Sequence, residues 1–233
     1  MLKTGFEELD KIVQMNQNDL IVVASRPAMG KSTFVSNILS KVNEINSVPV
    51  LMISLEESNE KIKNRIFAYR QAKEFTEIYI EDLANVSIIE IKEHAKKYKQ
   101  EKNIGLIIID YLQLISFNKP SVLSRDDETI EILKQLKSLS IELNIPIILT
   151  SQLSRKLEER EDKRPAISDF QESRKGIAEY IDTVLFIYRD DYYNKNSEHK
   201  NVVELIVAKS KNENIGSIKL TYVDTIEGYV QSI

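Results

Sequence analysis

Residues 19–44 constrain the fold of this chain more than any other stretch. Asp19–Ser25 (DLIVVAS) is a short, apolar, β-branched run, the composition of a strand buried on both faces. It leads into a loop closing on Gly30-Lys31-Ser32. Ser32–Glu44 then places Phe34, Val35, Ile38, Leu39 and Val42 at the spacing of a helix with one buried face. A strand, a tight loop and a helix in that order aim backbone N–H groups and the positive end of the helix dipole at one point, a seat for phosphate oxygens. The residues of that loop are Ser25, Arg26, Pro27, Ala28, Met29, Gly30, Lys31, Ser32 and Thr33. Lys31 would reach the β- and γ-phosphates of a nucleoside triphosphate such as ATP, and the Ser32 hydroxyl would ligate Mg²⁺. Ser25 stands where the usual pattern has a glycine, so a chance Gly-Lys-Ser at a helix start is the competing reading.

The rest of the chain extends the same alternation. Strands are expected at Pro49–Leu55, Glu77–Ile80, Gly105–Asp110 and Ile145–Thr150. Between them, Lys61–Tyr69 is helical behind a Ser58 cap. Ser87–Gln100 carries Ile88, Ile89, Ile91 and Ala95 on one side, and Asp127–Leu143 carries Ile130, Leu133, Leu136 and Leu139. After Leu149 the pattern turns strand-rich, with Thr183–Tyr188, Val202–Lys209 and Gly216–Tyr222. This predicts an α/β fold, a mainly parallel twisted sheet flanked by helices with antiparallel strands at its C-terminal edge. With no repeat or Gly/Ser linker, the 233 residues are expected to form one domain, 1–233. Leu153–Glu172 reads as a long polar loop, and loops of that length are usually functional.

Composition narrows the chemistry. There is no cysteine, hence no disulfide or thiolate metal site, and the two histidines, His94 and His199, lie far apart. No apolar run approaches the ~20 residues needed to cross a bilayer, and Met1 opens no signal-peptide pattern, which fits a cytoplasmic location without membrane contact. A net charge of −4 leaves room for a local basic patch but not for a surface that clings to nucleic acid throughout.

Three polar residues fall at strand carboxyl ends, where parallel sheets collect ligands. Asp110 could hold Mg²⁺ opposite Ser32, or simply cap a turn. Glu56 could activate a water for attack on the γ-phosphate, but Glu57 adjoins it and spacing does not choose between them. Gln152 is either a γ-phosphate sensor or a surface amide.

Several segments together resemble the C-terminal ATPase domain of the DnaB family of bacterial and phage replicative DNA helicases. They are TGFEELD (Thr4–Asp10), ASRPAMGKST (Ala24–Thr33), ISLEES (Ile53–Ser58), IIIDYLQLI (Ile107–Ile115), ELNIPIILTSQLSR (Glu142–Arg155), EEREDKRPAISD (Glu158–Asp169) and LFIYRDDYY (Leu185–Tyr193). That family's phosphate loop also commonly lacks the first glycine. The resemblance implies a RecA-like P-loop ATPase fold. It implies Glu56 as catalytic carboxylate, Asp110 as second magnesium residue, Gln152 as γ-phosphate sensor and Arg65 as an arginine near the nucleotide. It also implies a ring of six domains that translocates on single-stranded DNA, 5′ to 3′, with a helicase loader or primase as possible partners. The family's N-terminal domain, which meets primase, is not expected within this sequence.

Three departures from the family pattern stand out. A Lys-x-Arg pair from a neighbouring subunit completes each family site, whereas the aligned pair here is Lys209 and Lys211. Arg offers a planar bidentate fork and Lys a compact point charge. On the residues alone the two lysines are equally alternating strand positions. The segment between Glu56 and Ile78 is shorter than in typical members by roughly one helical hairpin. The DNA-contacting loop, usually close to DLRESGSIEQDAD, here holds Gln171, Glu172, Arg174, Lys175 and Gly176, with Gln171 in place of an arginine. Arg155, Lys156, Arg160, Lys163 and Arg164 are further cations for a DNA backbone, interleaved with acids. Tyr188, Arg189, Tyr192 and Tyr193 suit a nucleotide base, a subunit boundary or ordinary edge packing. Two other functions compete with the helicase motor: a recombinase-like or circadian-type ATPase on the same sheet, and a degenerate paralogue that binds ATP as an adaptor without unwinding.

Overall fold

Strand β1 (Leu20–Ser25) sits at the middle of the sheet because every one of its side chains is apolar or small and buried. Successive residues point to opposite faces. Ile21 and Val23 enter one core, while Leu20, Val22 and Ala24 enter the other. The computed structural model describes residues 1–70, 77–117, 124–170 and 174–231. Among them the further strands are β2 (Val50–Ser54), β3 (Ile78–Asp82), β4 (Leu106–Asp110), β5 (Ile147–Gln152), β6 (Thr183–Tyr188), β7 (Val202–Lys209), β8 (Gly216–Val223) and β9 (Gly228–Gln231). The helices are α1 (Glu7–Ile12), α2 (Lys31–Asn46), α3 (Asn59–Arg70), α4 (Ile88–Lys102), α5 (Arg125–Leu143), α6 (Arg174–Tyr180) and α7 (Asp190–Tyr193).

All nine strands form one sheet, ordered β3-β2-β4-β5-β1-β6-β7-β8-β9. The six from β3 to β6 run parallel, and β7, β8 and β9 are added antiparallel. Helices α1, α2 and α3 cover one face through Leu9, Phe34, Val35, Ile38, Ile62 and Ile66. The other face is covered by α4, α5 and α6, through Ile91, Ala95, Ile132, Leu133, Leu136 and Ile177. The expected fold class therefore holds: a RecA-like α/β sheet with an antiparallel C-terminal edge.

Details of the helices differ from the periodicity reading. The buried stripe of α5 passes through Thr129, Ile132, Leu133, Leu136 and Leu139, leaving Ile130 half-buried beside it. On α4, Ile88, Ile91 and Ala95 face the core while Ile89 is exposed, since a one-residue step turns it about 100° from Ile88. The stretch after Leu153 is more ordered than a polar loop. Two 3₁₀ turns, Arg155–Glu159 and Ile167–Asp169, bury Leu157 and Asp169, with Phe170 buried after them. Helices α1, α6 and α7 and strand β9 were not foreseen; the helices are six, seven and four residues long and the strand four, too short for a periodic signal.

Candidate nucleotide-binding site

The loop after β1 ends at Gly30, whose φ of +89° is open to glycine at little cost, and helix α2 begins at the next residue. The other long helices close their N-termini with side chains. Ser87 and Glu90 form a capping box on α4, and Ser124 caps α5 ahead of Asp126, Asp127 and Glu128. Helix α2 has neither device: no side-chain cap and no acidic residue in its first turn. Its first N–H groups and dipole are left without an internal anion, although sixteen residues of helix stand behind them. The unfilled need is for an external anion, and a phosphate fits it.

A cleft of about 540 Å³ opens on this helix end. It is lined by Ser25, Arg26, Pro27, Ala28, Gly30, Lys31, Ser32 and Thr33, by Glu56, Glu57, Tyr111 and Gln152 from beyond or at neighbouring strand ends, and by Arg65 from α3. One loop residue departs from the expected set: Met29 is 2% exposed and packs into the core beneath the loop. Lys31 Nζ lies 3.0 Å from Asp110 Oδ1 and 3.2 Å from Thr150 Oγ1, with the Tyr111 ring 4.7 Å away. Thr150 also donates to Asp110, which is 1% exposed. The carboxylate of Asp110 and the Ser32 hydroxyl at the start of α2 are the hard oxygen donors that a Mg²⁺ bound to phosphates uses, so these residues suit that ion.

The two glutamates left open by sequence are separated by their surroundings. Glu56 is exposed on the cleft and has no hydrogen-bond or ion-pair partner among the described residues. Glu57 is engaged by Arg65 at 2.8 and 2.9 Å through both guanidinium nitrogens, and by Lys61 at 2.6 Å. Burial alone would raise the Glu57 carboxyl, but hydrogen bonds from Arg65 and then Lys61 outweigh it and hold it at about 2. Glu57 is thus an acceptor already committed to cations, and Glu56 is the carboxylate free to face a ligand. Arg65 lines the cleft as expected, with its fork committed to Glu57 and Ser36.

Gln152 reaches the same cleft from the end of β5. Two residues hold its surroundings: Gln113, which the sequence reading did not single out, and Arg26, which it placed in the phosphate loop without this role. Gln113 exchanges hydrogen bonds with the Gln152 backbone, and Arg26 donates to the Leu153 carbonyl at 2.8 Å and to Glu158 at 2.9 Å. Their partners lie 39 to 132 residues away in the chain, so no local spacing announces them.

Lys209 and Lys211 lie elsewhere. Lys209 pairs with Val184 at the start of β6, which is the amino end of β1, whereas the phosphate loop follows its carboxyl end. The six residues of β1 put roughly 17 Å between those ends, beyond the reach of a lysine side chain. Lys209 Nζ donates to the Ile177 and Ile181 carbonyls, and burial pulls its pKa down. Lys211 Nζ sits 3.2 Å from the buried Asp19 and 4.0 Å from Asp182; the hydrogen bond to Asp19 raises its pKa.

The expected DNA-contacting positions are only partly described. Gln171 and Glu172 lie outside the described residues, as do the side chains of Arg174 and Lys175; Gly176 is buried within α6. Among the other cations, Arg160 is tied to Asp169 and Arg164 to Glu204, while Arg155 and Lys156 are exposed. Tyr188 and Tyr193 stack on each other with centroids 6.0 Å apart, and Arg189 binds Asp191. None of Tyr188, Arg189, Tyr192 and Tyr193 lines the nucleotide cleft.

The profile of the family described as "DnaB-like helicase C terminal domain" matches residues 1–75 and 68–231. The two pieces meet where the chain was expected to be short, at a junction that includes residues outside the described set. The "Replicative DNA helicase DnaB" of Geobacillus stearothermophilus is 38% identical over 255 aligned positions, covering 98% of this chain and 56% of that protein. This chain therefore spans just over half the length of the curated relatives it matches. A structure described as "a DnaB-like replicative helicase and its interactions with primase" superposes with a TM-score of 0.90 at 30% identity, over 100% of this chain and 63% of that one. A second solved structure, described as an ATPase domain, superposes with a TM-score of 0.89 at 30% identity, over 100% and 91% respectively.

Proposed function

The chain belongs to the DnaB-like helicase C-terminal domain family, and from that premise we propose that it is the ATP-hydrolysing motor of a replicative DNA helicase. The observation that carries the reading is the sixteen-residue helix α2, uncapped at Gly30 and opening on a cleft lined by Lys31, Glu56 and Gln152, with the buried Asp110 held against Lys31. In this proposal Lys31 and the loop N–H groups hold the triphosphate. Ser32 and Asp110 would hold Mg²⁺, which supplies charge neutralisation at the phosphates when bound. Glu56 takes the proton of the attacking water, and Gln152 hydrogen-bonds the γ-phosphate. Arg65, fixed by Glu57, adds positive potential beside them.

The same proposal extends to assembly. Lys209 and Lys211 cannot serve their own phosphate loop, which supports a head-to-tail ring of six in which they face a neighbour's nucleotide. Single-stranded DNA is the proposed track, contacted from the segment containing Gln171, Glu172, Arg174, Lys175 and Gly176, with 5′ to 3′ movement. One solved relative is described together with its interactions with primase. Primase or a helicase loader is accordingly a proposed partner here, and the cytoplasm the proposed location.

ATP turnover measured with and without single-stranded DNA tests the motor. Lys31→Ala is expected to abolish Mg–ATP binding. Glu56→Gln is expected to retain binding and lower turnover about 10²–10⁴-fold. Unchanged nucleotide affinity in Lys31→Ala would overturn the site, and binding without turnover in the assembled wild-type chain would leave an adaptor.

A further inference from the structure

Strand β4 stops pairing with β5 at the Ile109–Leu149 register and leaves the sheet after Asp110. Strand β5 continues through Thr150, Ser151 and Gln152, paired on its other side with β1 up to Ser25–Gln152. Gln152 therefore has a strand neighbour on one edge only. In a parallel ladder, the N–H and C=O of one residue both bond to the same adjacent strand. For Gln152 that strand is missing, and unpaired backbone groups beside a cleft are costly and mobile.

The side chain of Gln113 fills the gap. It lies in the 3₁₀ turn Leu112–Leu114 that follows β4. Its Oε1 accepts from the Gln152 N–H at 3.2 Å, and its Nε2 donates to the Gln152 carbonyl at 3.1 Å. The same Nε2 donates to Ser151 Oγ at 3.0 Å, and Ser151 is 1% exposed. The primary amide thus reproduces both bonds that a strand peptide would make. It is anchored in turn, because Arg125 at the start of α5 donates to the Gln113 carbonyl at 2.9 Å. A carboxylate cannot substitute, since it lacks the donor, and an asparagine is one methylene too short to span the same gap.

We propose that Gln113 is a positioning residue for the γ-phosphate sensor, its side-chain amide standing in for the missing strand and holding Gln152 extended into the nucleotide cleft. The proposal rests on the reading of Gln152 given above. Its consequence is specific: Gln113 governs how well the site tells a triphosphate from a diphosphate, and does so only through Gln152.

The test measures affinities of the full chain for Mg–ATPγS and Mg–ADP, with the wild type expected to prefer the triphosphate. Gln152→Ala reduces that preference. Gln113→Leu reduces it about tenfold, the loss expected when two hydrogen bonds that order the sensor disappear. Gln113→Glu, nearly isosteric, does the same, which guards against a poorly folded leucine variant. ADP affinity stays at the wild-type value, the urea midpoint falls only by what the lost hydrogen bonds account for, and the double variant Gln113→Leu/Gln152→Ala is no worse in nucleotide preference than Gln152→Ala alone. Three outcomes would overturn the inference. One is that both Gln113 variants keep the preference while Gln152→Ala loses it; another is that they weaken ADP and ATPγS equally; the third is that Gln152→Ala leaves the preference intact. Failure of the underlying nucleotide site would look different, because Lys31→Ala would then bind both nucleotides as the wild type does.

Discussion

Adjacent glutamates at the end of β2 show how surroundings assign roles that spacing cannot. Glu56 and Glu57 share a composition and a turn, yet one is free at the cleft and the other is enclosed by Arg65 and Lys61. The second makes stability depend on pH. The folded-state carboxyl of Glu57 titrates at about 2 against an ordinary 4.5. A depressed carboxylate stabilises the fold fully above its unfolded pKa and loses that contribution as pH falls through the folded one. Glu57→Gln is expected to cost about 1–3 kcal/mol at neutral pH, because it leaves Arg65 without a charged partner. Urea midpoints of the two proteins should converge between pH 4.5 and about 2. Glu56→Gln, at an exposed position, should leave the urea midpoint at neutral pH near the wild-type value, its loss appearing in turnover.

The legibility of this fold from its sequence divides by element length. Strands β1, β2, β4, β5 and β6 are continuous apolar runs, and α2, α4 and α5 span several turns, so periodicity places them. Strand β9 (GYVQ) escapes because four residues with a glycine carry no periodic signal. It nonetheless supports the phosphate loop from below. Tyr229, 1% exposed, packs near Phe34 of α2, and its N–H donates to Asn37 at 2.8 Å. A Cβ at Gly30 would stand 1.8 Å from the Tyr229 hydroxyl, so the loop's glycine is required by this neighbour as well as by its positive φ. The recognisable Gly-Lys-Ser thus owes part of its shape to a residue almost two hundred positions later, which explains why the loop was legible and its support was not. Tyr229→Ala is expected to destabilise the chain by about 3–5 kcal/mol and to weaken Mg–ATP binding, as read by chemical denaturation and nucleotide titration. Tyr229→Phe, which keeps the packing volume, should leave both near wild type.

At the scale of the whole molecule, the sheet holds two chemically distinct ends. The carboxyl ends of β1, β2, β4 and β5 gather the loop, Glu56, Asp110 and Gln152, whereas Lys209, Lys211, Asp19 and Asp182 meet at the amino end of β1. A parallel sheet keeps these groups apart by its full strand length, so a cation at or just beyond the end of β7 can meet a triphosphate only on another copy. Resemblance picks out the two lysines and their partner in the sequence; their separation from the loop needs the strand register. That geometry is open to a mixing experiment. Lys31→Ala chains lack a working phosphate loop but retain Lys211, and Lys211→Ala chains have the converse defect. Each should be nearly inactive alone. Mixed one to one in randomly assembled rings, about a quarter of the head-to-tail interfaces pair an intact loop with an intact Lys211. Turnover should then recover towards a quarter of the wild-type value per interface. If Lys211 acted within its own chain, both variants would stay inactive in every mixture; if it took no part in turnover, Lys211→Ala alone would match the wild type.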